Sequence, residues 1–358
     1  MKKGVLFTIH SYTGLLSGVF ILLMSISGAL LVFHEELDSL QYPELQKIEG
    51  KQILSIDSCF YFLQKEFPNA QISNVSLSEN NNKPVIFSLY DSSYKKGTQS
   101  MQVLMHPTNG TVIQTRGGSK DIGGNFMSWL SAFHNSFHLE KKGEWMLGFF
   151  GCLFMISILS GLIIYRKKIT DVLCFRKRAF QRNNVHQIIG VYALVFNLLI
   201  ATTGVWMQRY VFKKEFYQTQ QPYTPILKTT PPLFFSIDSA IGEAKKQYPD
   251  FTDHVIYFAQ NKSRKTAVYG SRKSNSFIHS KKLADVIFLD SSGAIAKTAF
   301  VDDIDEDSRY DIINAQIHYG KFGGLPIKIV YFVLGLSGAI LSITGFILWY
   351  TRKPTKSE

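Results

Sequence analysis

Four of the nine histidines stand at positions that repeat. His10-x-x-x-Gly14 recurs 176 residues later as His186-x-x-x-Gly190, and each opens an apolar run. His134 and His318, 184 residues apart, each precede another apolar run. An ionisable residue in or beside a membrane span is costly to bury without a partner, so each is a candidate for function. A b-type haem needs a neutral imidazole nitrogen on one or both axial faces of its iron and no covalent bond from the protein. Two helices related by a pseudo-twofold axis would present identical histidines to opposite faces of such a ring. His10 and His186 fit that requirement near one membrane surface, and His134 with His318 near the other. The competing readings are an interhelical hydrogen bond for the first pair and an interfacial position for the second. Gly14 and Gly190, one turn further along the same face, leave room either for a flat macrocycle or for close helix packing.

His138 lies four residues after His134, on the same face if that segment is helical, and is the alternative ligand there. Its counterpart is Phe322, so His134 is preferred. His34 follows His10 by 24 residues, roughly 36 Å along an ideal helix, which places it at the outer surface as an interfacial, substrate-side or ligand residue. His106, His254 and His279 lack metal-ligand spacing and read as ordinary surface histidines. The cysteines, Cys59, Cys152 and Cys174, form no C-x-x-C, which argues against a thiolate zinc site and covalently attached haem. Each cysteine falls in a different compartment, so no intramolecular disulfide is expected. No Ser/His/Asp or paired-carboxylate arrangement is convincing, and the acidic run Asp302, Asp303, Asp305, Glu306 and Asp307 reads as solvated or cation-attracting rather than catalytic.

The elements that must position these histidines are membrane helices. Uncharged runs cover 5–33, 145–165, 185–207 and 329–350, the last within a helix assigned to 327–350. At about 1.5 Å per residue, each can cross a hydrocarbon core of roughly 30 Å. The first is too long for a signal peptide core and is expected to remain as an anchor. Residues 1–4, 166–184 and 351–358 hold 12 Lys/Arg against two acidic residues, and so carry +10 of the chain's net +12. By the positive-inside rule, both termini and the basic loop 166–184 are cytoplasmic, and the long segments 34–133 and 208–318 lie outside. The remainder is nearly neutral, which argues against a nucleic-acid partner.

The outer segments repeat as well. Ser55-Ile56-Asp57 through Pro68 returns as Ser236-Ile237-Asp238 through Pro249, 181 residues on. Ser55 and Ser236 are expected N-caps of helices 56–67 and 237–248, with the prolines as stops. Alternating segments at 83–90, 101–106 and 111–115, and at 282–289 and 294–298, predict strands, with turns at Asn109-Gly110 and Ser292-Gly293. The expected fold class is an integral membrane α+β protein. It has four transmembrane helices in two tandem repeats, each carrying a small outer domain of one helix and an antiparallel sheet.

Ser27-Gly28 matches Thr203-Gly204, and Ser160-Gly161 matches Thr344-Gly345, the Ser160 pair preceding Tyr165-Arg166-Lys167. Together with the His-x-x-x-Gly helix and the Ser-Ile-Asp opening, this resembles the PepSY-associated transmembrane family over residues 10–353. The resemblance implies PepSY-like outer domains facing the periplasm from a bacterial inner membrane. It also implies two haems b and reduction of a ferric siderophore outside, because some members are haem-containing ferric siderophore reductases. No G-x-G-x-x-G follows a strand on the cytoplasmic side, so the electron donor is expected to be a membrane quinol or a separate cytoplasmic reductase. The family's association with protease inhibition leaves a second reading open, a membrane-anchored module capturing a peptide, a protease or a chelate without redox chemistry. A transporter is weaker still, with only four helices and no intramembrane acid.

Overall fold

The computed structural model describes residues 3–45, 55–77, 83–91, 100–176, 185–213, 230–273, 278–280 and 282–351. The basic stretch 177–184 and the tail 352–358, both used in the charge argument, lie outside the described residues. The chain divides into a helical unit (Met1–Phe33, Ser131–Thr219, Ile317–Glu358) and a sheet unit (His34–Leu130, Gln220–Gln316).

Along the chain, α1 (Lys3–Val32) is followed by α2 (His34–Gln41), α3 (Ile56–Glu66), α4 (Phe126–Ser136) and α5 (Glu140–Leu173). Then come α6 (Val185–Tyr192), α7 (Leu194–Met207), α8 (Ile237–Gln247), α9 (Glu306–Tyr319) and α10 (Gly324–Tyr350). Among the described residues, three helices, α1, α5 and α10, are long and apolar enough to cross a membrane. The third apolar run, expected as one helix over 185–207, is broken instead: α6 and α7 meet at a 65° bend. Gly190 stands one turn before the break, where a missing side chain loosens the helix. Both sides of the bend are tied to α10, through His186 to Thr344 and Asn197 to Ser337.

Small residues let these helices approach. A Cβ on Gly338 of α10 would fall 2.2 Å from Ser25 Oγ of α1, and one on Gly151 of α5 would fall 3.0 Å from Val205 Cγ2 of α7. Without a hydrophobic force between helices in lipid, such close approach is what holds them together.

The sheet unit is one antiparallel sheet, not two. Strands β1 (Ala70–Ser76), β2 (Val85–Asp91), β3 (Ser100–Met105) and β4 (Val112–Gly117) form one half, and β5 (Thr252–Tyr257), β6 (Thr266–Ser271), β7 (Asp285–Leu289) and β8 (Ile295–Ala299) form the other. Their order, β4-β3-β2-β1-β5-β6-β7-β8, joins the halves through β1 and β5, with Asn74 opposite Tyr257 and Val75 opposite Ile256. One core runs across the junction, with Phe60 of α3 against Phe258 at 4.9 Å and both among Leu63, Ile72, Phe87, Ile256 and Ile287.

Ser55 and Ser236 cap α3 and α8 as expected, accepting from Ser58 N and Ser239 N. Each helix is also capped by its counterpart. Asp238 accepts from Ser55 Oγ (2.6 Å), Ile56 N (3.0 Å) and Asp57 N (2.9 Å), while Asp57 accepts from Ser236 Oγ (2.6 Å) and Ile237 N (2.8 Å). A carboxylate at a helix N-terminus satisfies orphan N–H groups and suits the helix dipole. Gly110 and Gly293 take positive φ of 70° and 87° at the two expected turns. A buried ion pair, Arg116 with Asp38 at 2.8 and 3.0 Å, fixes α2 to β4, and Arg116 also donates to Gln102. His254 corrects the surface reading given to it: β5 is a central strand, and His254 is 2% exposed.

Candidate functional site

The four repeated histidines sit in cradles of one kind. Each ring lies against the Ser/Thr-Gly pair of a neighbouring helix. His10 of α1 lies on Ser160-Gly161 of α5, and His186 of α6 on Thr344-Gly345 of α10. His134 of α4 lies on Ser27-Gly28 of α1, and His318 of α9 on Thr203-Gly204 of α7. The glycine gives the ring a flat seat: a Cβ there would meet the imidazole Cε1 at 3.0 Å (Gly28), 2.9 Å (Gly161), 3.2 Å (Gly204) and 3.3 Å (Gly345).

The hydrogen bonds determine the tautomers. Nδ1 of His10 lies 2.9 Å from the Ser157 carbonyl, which can only accept, so Nδ1 carries the proton. The other three rings face hydroxyls: Ser27 Oγ at 2.8 Å from His134, Thr344 Oγ1 at 2.9 Å from His186 and Thr203 Oγ1 at 2.9 Å from His318. Each hydroxyl already donates to the carbonyl four residues back, Ser27 to Leu23, Thr344 to Ile340 and Thr203 to Leu199. With its proton on that carbonyl, each presents a lone pair that favours Nδ1–H as its donor. In all four histidines Nε2 is left with its lone pair. That is the state of a metal-ligating imidazole, whose other nitrogen is normally tied to an acceptor.

The structure brings His10 and His186 together, with ring centroids 6.2 Å apart and planes at 73°. Both line a cavity of about 490 Å³ in the helical unit, walled largely by apolar side chains such as Phe7, Leu15, Phe154 and Leu341. Gly14 and Gly190 line it too, and a Cβ at either would be in ordinary contact with a neighbour, 3.4 Å from Ser157 Oγ at Gly14 and 3.7 Å from Leu341 at Gly190. His134 and His318 lie within electrostatic reach of each other. His138 does not share a helical face with His134. Helix α4 ends at Ser136, and Phe137, His138 and Glu140 take positive φ of 50°, 58° and 52°. His34 opens α2 and belongs to the sheet unit, whereas the four repeated histidines belong to the helical unit.

The residues that sequence reasoning passed over are the cradle hydroxyls and glycines. Their signal was present, since Ser/Thr-Gly occurs in all four apolar runs, but it served there to set the register and to carry the family resemblance, not to mark partners of the histidines. No group of three or more His, Cys, Asp or Glu able to hold a metal occurs among the described residues. A family model described as the PepSY-associated TM region matches residues 7–352. Comparison with curated proteins finds no match.

Proposed function

The chain belongs to the PepSY-associated transmembrane family, and from its histidine cradles we propose that it is a haem-binding protein carrying electrons across a membrane. The observation that carries the reading is the His10–His186 pair: two rings 6.2 Å apart on one apolar cavity, each keeping an Nε2 lone pair. Rings this close could both donate to one group bound in that cavity, and they are the residues that would hold it. The cavity volume falls in the range of about 300–1,000 Å³ that cofactor pockets occupy. A pair of imidazoles also suits a metal that brings its remaining donors with it, as haem iron does.

Under this reading His10 and His186 hold an inner haem b, and His134 with His318 an outer one. When bound, each group would supply a reversible one-electron centre. The chain's own residues orient the imidazoles, hold their Nδ1 protons and keep water from the apolar pocket. Ser27 follows His10 by 17 residues on α1, so the two levels stand about 25 Å apart along that helix.

The finer architecture is part of the proposal. The chain comprises two tandem modules with four spans, α6–α7 being one broken span, and the charge asymmetry supports cytoplasmic termini and a periplasmic sheet unit in the inner membrane. A membrane quinol or a cytoplasmic reductase would be the donor, and a ferric siderophore outside the acceptor. Reduction would loosen the metal, because hard oxygen ligands hold Fe(II) less well than Fe(III). The test is to reduce the purified protein chemically without oxygen and add ferric siderophores. Reoxidation of the Soret and α/β bands is expected. A colourless protein from haem-replete cells would favour the binding-module reading, and a haem protein that no ferric chelate reoxidises would refute the acceptor.

A further inference from the structure

We propose that the hydroxyls of Ser27 and Thr203 are the positioning residues of the outer histidine pair, each locking its imidazole as the Nδ1–H tautomer so that Nε2 is the donor atom. This rests on the haem reading for what Nε2 binds, but not for the tautomer itself.

The two pairs are held differently. His10 donates to a main-chain carbonyl, that of Ser157 at 2.9 Å, with Ser160 Oγ further off at 3.3 Å. His186 likewise has the Leu341 carbonyl beside it in addition to Thr344 Oγ1. Ser157 and Leu341 are equivalent residues, 184 apart. His134 and His318 have no such carbonyl among their described contacts. Ser27 Oγ and Thr203 Oγ1 face them at 2.8 and 2.9 Å. Each hydroxyl is oriented by its own donation into its helix, Ser27 to Leu23 and Thr203 to Leu199, both at 2.8 Å. A hydroxyl whose proton is engaged in this way presents lone pairs, and a ring seated on glycine beside it has one favoured protonation state.

Removing the acceptor has a defined electronic consequence. An imidazole whose Nδ1–H is hydrogen-bonded is a more basic ligand, and a basic ligand favours the ferric over the ferrous ion. Loss of the Ser27 or Thr203 hydroxyl should raise the midpoint potential of the outer site alone. Loss of the Ser160 hydroxyl should leave the inner site nearly unchanged, because the Ser157 carbonyl still takes the His10 proton.

The experiment uses the full chain in detergent with ¹⁵N-labelled histidine. Nitrogen NMR of the haem-free protein should show His134 and His318 as Nδ1–H tautomers. Ser27→Ala and Thr203→Val should each shift one of the two toward a tautomer mixture, and Thr203→Ser should restore it. On the haem-loaded protein, redox titration should show the outer potential raised in both variants, unchanged in Thr203→Ser, and the inner potential unmoved by Ser160→Ala. Unaltered tautomers and potentials in both outer variants would overturn the proposal, as would an equal response to Ser160→Ala. A chain that binds no haem refutes the haem reading, while the NMR still decides the tautomers. Since Ser27→Ala acts on a different helix, misfolding of Thr203→Val leaves one decisive arm.

Discussion

Gly161→Ala perturbs the cradle with the least change in chemistry. The added methyl would lie 2.9 Å from His10 Cε1, whereas carbon atoms in contact are comfortable at about 3.5–4.0 Å. The ring must retreat from α5 by roughly 0.6 Å. Its acceptor, the Ser157 carbonyl, is also on α5, so the 2.9 Å hydrogen bond lengthens toward the limit of hydrogen bonding. Overpacking of this kind costs about 1–3 kcal/mol, and the lost hydrogen bond about 0.5–1.5 kcal/mol more. Against this stands the helix preference for alanine over glycine, at most about 1 kcal/mol. The steric cost wins, leaving a net destabilisation of about 1–3 kcal/mol. Gly242 in α8 has nothing within 4 Å of its would-be Cβ, so Gly242→Ala isolates the helix preference and should stabilise the chain. The assay is thermal unfolding of the solubilised protein, followed by tryptophan fluorescence, with haem content measured on the same samples. A Gly161→Ala protein that melts at or above the parent temperature and keeps its inner haem would refute the cradle argument.

Further outcomes follow from the sheet unit. Arg116→Met strands the buried Asp38 carboxylate and should cost about 3–5 kcal/mol, whereas Arg116→Met with Asp38→Leu should recover most of it; denaturant melts of both variants decide this. Asp238→Ala removes three acceptor contacts from the start of α3 and should cost about 1–2 kcal/mol, with Asp57→Ala doing the same to α8, read as faster hydrogen exchange in the first turn of the affected helix. Burial, with the nearby Asp238 charge adding to it, pushes the Cys59 thiol up to about 11. At pH 8 its thiolate is therefore scarce, and maleimide should label exposed Cys174 well before Cys59, whose labelling should need denaturant.

Much of this fold can be read from local pattern. Ser55 and Ser236 cap their helices because capping is a short-range matter of one side chain and an N–H three residues on. Strands β2, β3, β4, β7 and β8 alternate visibly. By contrast β1, with Gln71, Ser73 and Asn74, carries too many polar residues to look like a central strand. Its polar groups are satisfied by distant partners: Gln71 donates to Gln260, and Ile72 N donates to Thr230. The merging of the two halves into one sheet depends on β1 meeting β5, about 180 residues away. The bend at Ala193 has no proline to announce it. The candidate histidines were legible because they recur in register, but their cradles were not, since each joins residues 107 to 158 positions apart.

The central claim is that four histidines in two pairs hold two haems. Its most direct test is haem per polypeptide, measured by pyridine haemochrome on the purified full-length protein alongside His10→Ala and His318→Ala. Two low-spin haems are predicted for the parent, with the inner site lost or high-spin in the first variant and the outer site in the second. A parent without haem, or either variant with two unaltered low-spin haems, would contradict the account.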